Sequence, residues 1–162
     1  MFLRGHYQNA YVTHDLDRAM AMVEQRYGVA NFIRFEPDMP VRTTAGPQTL
    51  KARTALAWAG GLQLELIQPV SGHLDHYLPF LPTDRTDPSP RFHHMAVRRD
   101  DEAAMRDEIA RLGLPLAFEG SVPGLVFIYL DARESLGHFF EYVWASPEGW
   151  EMIGWPKGRP VT

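Results

Sequence analysis

The sequence predicts an α+β fold built from two tandem βαβββ modules whose sheets enclose a shared cavity. Three observations carry this. Two stretches, QNAYVTHDLDRAMAMVEQRYG from Gln8 and HMAVRRDDEAAMRDEIARLG from His94, follow one pattern. In each, a polar side chain able to bind a metal is followed about seven residues later by a helix-opening Asp, then an amphipathic run and Arg-x-Gly. Gln8 precedes Gly28 by 20 residues and His94 precedes Gly113 by 19, so the two units align within one residue. Downstream of each lies an apolar strand holding one carboxylate: Glu65 in LQLELIQPV and Glu141 in HFFEYVW. A repeat that sets N/O donors on buried strands of both halves points to a metal site between them.

In the first module, residues 6–13 alternate weakly and read as a strand. Asp15 is placed to cap a helix, with Leu16, Ala19, Met20, Val23 and Tyr27 at helical spacing and Gly28 as the stop. A second strand begins at Phe32 to Phe35. The stretch EPDMPVRTTAGPQT is rich in Pro and turn residues and is expected to bulge over the surface or the mouth of a pocket. LKARTALAWA and LQLELIQPV are strands joined by a hairpin at Gly60-Gly61.

Residues 71–90, SGHLDHYLPFLPTDRTDPSP, form the expected linker, so the first module spans 1–70. The pattern then restarts in a second module over 91–145. FHHMAVR is a strand, and Asp100 or Asp101 caps a helix with Met105, Ile109 and Leu112 on one face before Gly113. LPLAFEG, LVFIYLD and GHFFEYVW supply three more strands. Residues 146–162 are a tail whose Trp150 and Trp155, with Trp144 before them, suit docking on the body and also the cover of a pocket or a subunit contact.

Strand parity assigns the faces. Leu62, Leu64 and Leu66 share the side that packs under a helix, while Gln63, Glu65 and Ile67 face the cavity. Met95 and Val97 go under the second helix, His94 and Ala96 the opposite way, and His93 points away from His94. A carboxylate on an otherwise apolar strand is costly unless it is paired or bound to a cation.

A net charge of -4 and the lack of a Lys/Arg cluster give no support for nucleic-acid binding. No apolar run approaches the length that crosses a bilayer. Cys is absent, which excludes disulfides and thiolate zinc sites and is compatible with a cytoplasmic location.

With its paired βαβββ pattern, the helix opening between Gln8 and Leu16, the ELIQP strand ending, HHMAV and GHFFEYV, the chain resembles the vicinal oxygen chelate superfamily. This is the glyoxalase/bleomycin-resistance/dioxygenase family, and the resemblance spans about residues 6 to 145. It implies one divalent ion (Zn, Ni, Co, Mn or Mg) held by Gln8, Glu65, His94 and Glu141, with His6 an alternative to Gln8 on the first strand. The donor set looks most like glyoxalase I and is close to methylmalonyl-CoA epimerase. The function implied is a lyase or isomerase acting on a small oxygen-chelating substrate: an oxo-acid, hemithioacetal or acyl-thioester. Its metal-stabilised enolate or enediolate would be served by Glu141 or Glu65 as proton shuttle. Arg53, His6 and His138 are candidate substrate-binding residues. Relatives commonly form homodimers, and paired sheets would leave edges for a partner. Two other readings stand beside this one: a metal-free binding protein of the bleomycin-resistance type, and an extradiol-type dioxygenase, which would need two His and one carboxylate.

Overall fold

The computed structural model describes residues 3–159. The first half contains β1 (His6–Val12), α1 (Leu16–Tyr27), β2 (Ile33–Phe35), β3 (Asp38–Thr43), β4 (Gly46–Ala59) and β5 (Leu62–Gly72). A short 3-10 turn at Leu78–Phe80 follows. The second half contains β6 (Arg91–Arg99), α2 (Glu102–Leu112), β7 (Leu116–Val122), β8 (Leu125–Ala132), α3 (Arg133–Leu136), β9 (His138–Ala145) and α4 (Pro147–Met152). The strands run β4-β3-β7-β8-β9-β6-β1-β5, and β5 pairs back onto β4, so the sheet closes into a curved eight-stranded barrel. The α+β expectation holds.

The helices form where the pattern placed them. Asp15 accepts a hydrogen bond from the Arg18 amide and Asp101 accepts one from Ala104, so each caps the first turn of its helix. Gly28 and Gly113 end the helices at φ 68° and 64°, a left-handed conformation that costs a residue with a Cβ. On α1, Leu16, Ala19 and Val23 pack on Ala55 and Leu66 with Leu64 alongside. On α2, Met105, Ile109 and Leu112 pack with Met95, Val97, Phe140 and Tyr142. Burying each Leu, Val or Met side chain stabilises by about 1.5–3 kcal/mol, so these stripes fix the helices to the outside of the barrel. Tyr27 departs from the expected stripe: it is 73% exposed at the last position of α1.

The stretch 36–49 also differs from expectation. It is the continuation of a strand arm, in which Ile33 faces Leu56 and Asp38 faces Lys51 in one unbroken register against β4. The arm is interrupted only at Glu36-Pro37. Pro40 is tolerated inside β3 because β3 meets β7 only at Val41 and Arg42, leaving that side of the strand mostly unpaired. The arm still borders the cavity, through Phe35, Pro37 and Met39.

The edges expected to invite a partner are largely consumed within the chain, through β1 with β6, β3 with β7 and β4 with β5. Among the described residues, no helix is long and apolar enough to cross a membrane.

Candidate metal centre

Gln8, Glu65, His94 and Glu141 stand on β1, β5, β6 and β9, four consecutive strands of the barrel wall. Register brings them together. β1 and β6 run antiparallel about the Asn9–Met95 pair, with Gln8 opposite Ala96 and His94 opposite Ala10. On the outer flanks, Glu65 faces Ala10 and Glu141 faces Ala96. Each half therefore contributes a donor on its first strand and another on its last, around two fully buried alanines that carry nothing beyond Cβ.

Ligand-type atoms of Glu65, His94 and Glu141 lie within 4.8 Å of one another. His94 Nε2 is 3.2 Å from Glu141 Oε2, 3.4 Å from Glu65 Oε2 and 3.3 Å from the Tyr129 hydroxyl. Burial alone would push the His94 pKa down, but hydrogen bonding and charge from Glu141, then Glu65, raise it to about 9. Burial pushes Glu141 upward, against the opposing pull of His94. Tyr7, Tyr77 and Tyr129 are raised by burial and then by the two glutamates, so they present neutral hydroxyls.

Two hydrogen-bond relays set how Gln8 and His94 meet the site. The Ile153 carbonyl can only accept, so Gln63 must turn its NH2 to it (2.8 Å). Gln63 Oε1 then accepts from Gln8 Nε2 at 2.9 Å, which leaves Gln8 Oε1 as the free end. That oxygen is buried without a partner. On the other strand, the His76 carbonyl accepts from His93 Nε2 at 3.0 Å. Burial, followed by the His94 charge, holds the His93 pKa well below the usual histidine value, so its Nδ1 carries a lone pair. His94 Nδ1–H therefore donates to His93 Nδ1 at 2.8 Å, and Nε2 is the nitrogen turned to the carboxylates.

Parity from the sequence sends His93 away from His94. A bulge overrides it. Ala10 pairs with His94 but Tyr11 with Phe92, which leaves His93 as an extra residue on β6. A second bulge falls at Tyr7, since His6 pairs with Val97 and Gln8 with Ala96. Tyr7 and Gln8 consequently both line the cavity.

Glu65, Gln8 and Glu141 border a cavity of about 300 Å³. Apolar side chains make up most of its wall, including Leu56, Ile67, Leu125, Phe127 and Val143, with Tyr7, Tyr77 and Tyr129 among them. Met152 and Ile153, from the end of α4, complete it. Trp150 is 4% exposed and packs edge-on against Tyr7 at 5.5 Å, with the Arg98 guanidinium over its ring at 4.4 Å. The Trp-bearing tail thus folds onto its own chain. Residues 71–90 are likewise more than a connection, because Tyr77 lines the cavity and His76 is buried against Phe118.

The three expected substrate-binding residues lie outside this cavity wall. Arg53 points outward from β4, bonding Asp17 and Gln68 at 3.0 Å each, while its neighbours Ala52 and Thr54 face the cavity. His6 lies beyond the Tyr7 bulge and bonds Asn9 Oδ1 at 2.9 Å, so it does not substitute for Gln8. His138 bonds the Phe139 carbonyl at 2.6 Å and sits against Phe92. Sequence reasoning missed Tyr77, Tyr129 and the partnerships of His93 and Gln63. Gln63 carried a usable signal, since it alternates with Glu65. Tyr129 had none, lying in an unbroken apolar run, LVFIYL.

Residues 7–127 match the Glyoxalase/Bleomycin resistance protein/Dioxygenase superfamily. The chain belongs to this family, also called the vicinal oxygen chelate superfamily. A comparison with curated protein sequences gives no match. Among solved structures, it is similar to methylmalonyl-CoA epimerase from Mycobacterium tuberculosis, with TM-score 0.62 and 16% identity over 89% of each chain. A methylmalonyl-CoA epimerase in complex with methylmalonyl-CoA and NH4+ gives TM-score 0.63 and 17% identity, over 89% of this chain and 96% of that one. A hypothetical protein from Bacillus halodurans gives TM-score 0.57 and 13% identity, over 87% and 94%. At these identities the likeness establishes the shared fold.

Proposed function

We propose that the protein is a metal-dependent lyase or isomerase of the glyoxalase/epimerase type. The observation that carries this reading is the convergence of Glu65, His94 and Glu141 beside the partnerless Gln8 Oε1. Leaving an amide oxygen buried and unpaired costs about 1–3 kcal/mol, and a cation would recover that cost. The donors are one imidazole nitrogen and oxygens, which suits Zn, Ni, Co, Mn or Mg.

Gln8, Glu65, His94 and Glu141 would hold the ion. Bound there, a divalent ion supplies Lewis-acid stabilisation of the negative charge that develops on paired substrate oxygens when an α-proton leaves. The chain's own groups do the rest. Glu141 or Glu65 takes the α-proton as its C–H bond breaks and returns it to the adjoining carbon; for inversion at the same carbon, the other carboxylate, protonated at the outset, delivers its own proton to the opposite face. Tyr7, Tyr77 and Tyr129 border the same space and stay protonated, so they can donate hydrogen bonds to an oxyanion. The apolar wall excludes water from the carbanionic species. The one imidazole among these donors favours this chemistry over that of an extradiol dioxygenase.

Elemental analysis of protein purified without chelator tests the reading. Near-stoichiometric divalent metal is expected, and His94→Ala should weaken metal affinity by at least about 10–100-fold. Substoichiometric metal that added metal fails to restore would overturn it. Tight binding of a small molecule to metal-free protein would then favour the bleomycin-resistance type.

A further inference from the structure

We infer that the part of the substrate enclosed by the cavity is uncharged and predominantly apolar, an α-hydroxyketone or 1,2-dicarbonyl carrying a hydrocarbon or aromatic group. The inference rests on the proposed metal site and narrows its substrate class. No Lys, Arg or His lines the cavity among the described residues. Arg53, which lies between the wall residues Ala52 and Thr54, is turned outward and tied to Asp17 and Gln68.

Charge balance argues the same way. Two glutamates would offset a divalent ion, so the loaded site would carry no net positive charge to attract an anion. Beyond the donors, Phe35, Leu56, Ile67, Leu125, Phe127 and Val143 offer hydrocarbon surface. An anionic group placed against them would be desolvated without a partner, which is strongly unfavourable. An aromatic or alkyl group there would be favoured in proportion to the area it removes from water. A substrate that carries a charged group beyond its chelating oxygens is therefore poorly matched to this interior.

The test uses three probes that share one hydroxyketone head: hydroxyacetone, 2-hydroxyacetophenone, and the latter with a 4-carboxylate. Binding is measured by calorimetry on metal-loaded and on chelator-treated full-length protein. The phenyl group should tighten binding at least about tenfold, and the added carboxylate should reverse that gain. Thr54→Arg, which sets a cation on the wall, should raise affinity for the carboxylated probe relative to the neutral one. Equal or tighter binding of the carboxylated probe by the unmodified protein, or no gain from the phenyl group, overturns the inference. Protein that takes up no metal yet keeps the phenyl preference fails the metal reading and leaves the apolar cavity standing. Protein that takes up metal without discriminating among the probes fails only the present inference.

Discussion

Gln8 and His94 occupy matching places across the β1–β6 ladder, Gln8 opposite Ala96 and His94 opposite Ala10, and each follows a bulged residue. Each also ends a relay that begins at a backbone carbonyl, through Gln63 from Ile153 and through His93 from His76. An acceptor-only group at the far end fixes the polarity of every bond after it. What reaches the site is a bare amide oxygen from one half and Nε2 from the other.

The His93 relay predicts that His93→Phe keeps the ring's bulk and removes the acceptor that orients His94. Metal affinity should fall by about 10–100-fold while the circular dichroism spectrum is retained. Competition with a chromogenic chelator measures this. Unchanged affinity would mean that His94 is oriented by its packing against Tyr129 alone.

The Gln63 relay makes a parallel case. Gln63→Leu frees Gln8 to rotate its amide, so its NH2 competes with Oε1 for the inward position. A loss of about tenfold in metal affinity is expected, again by competition, with a smaller effect than His94→Ala. A larger loss than that of His94→Ala would mean that Gln63 does more than orient Gln8.

Away from the site, Glu108 joins α2 to the barrel. It accepts from Arg99 Nε and Nη2 at 2.7 and 2.8 Å and from the Tyr142 hydroxyl at 3.0 Å. The Arg99 hydrogen bonds, with help from Tyr142, hold its carboxyl below the usual range. A depressed folded-state pKa stabilises above the unfolded value of about 4.3 and loses that contribution as pH falls through the folded value. Glu108→Gln should therefore lower Tm at pH 7 by roughly 2–4 °C, for a loss of about 1 kcal/mol. In thermal melts the gap to the unmodified protein should narrow at pH 3. A gap that widens in acid would contradict the sign.

The sequence made the repeat legible because its signals are local: an Asp cap, a 3.6-residue stripe and a Gly stop in each half, then a lone carboxylate on an apolar strand. Parity was sound on β5 and for His94. It failed at His93 and His6 because a bulge inserts one residue and flips everything beyond it, and a bulge has no fixed signature. The cavity wall was hidden for another reason. Tyr77, Tyr129 and Ile153 come from a segment read as linker, a strand without alternation, and a tail, and only tertiary closure brings them together. Pro40 and Pro47 looked like breakers, yet they lie in strands, Pro40 on a thinly paired side of β3 and Pro47 near the start of β4.

The tail supplies the last prediction. Trp150 is buried on Tyr7, Trp58 Nε1 donates to the Gly154 carbonyl at 2.6 Å, and the Ile153 carbonyl anchors Gln63. Gly149 lets α4 approach so closely that a Cβ there would meet the Gly124 carbonyl oxygen at 2.3 Å. These contacts lie within one chain, so truncation after Ala145 should destabilise the protomer whether or not it dimerises. Trp150→Ala alone should cost about 3–5 kcal/mol in denaturant unfolding. The truncated protein should also bind metal more weakly, because Gln63 loses its carbonyl anchor and Gln8 is no longer held. Sedimentation and unfolding measured together separate the cases. A truncation that leaves unfolding unchanged and only dissociates a dimer would show that the tail acts between copies rather than within one.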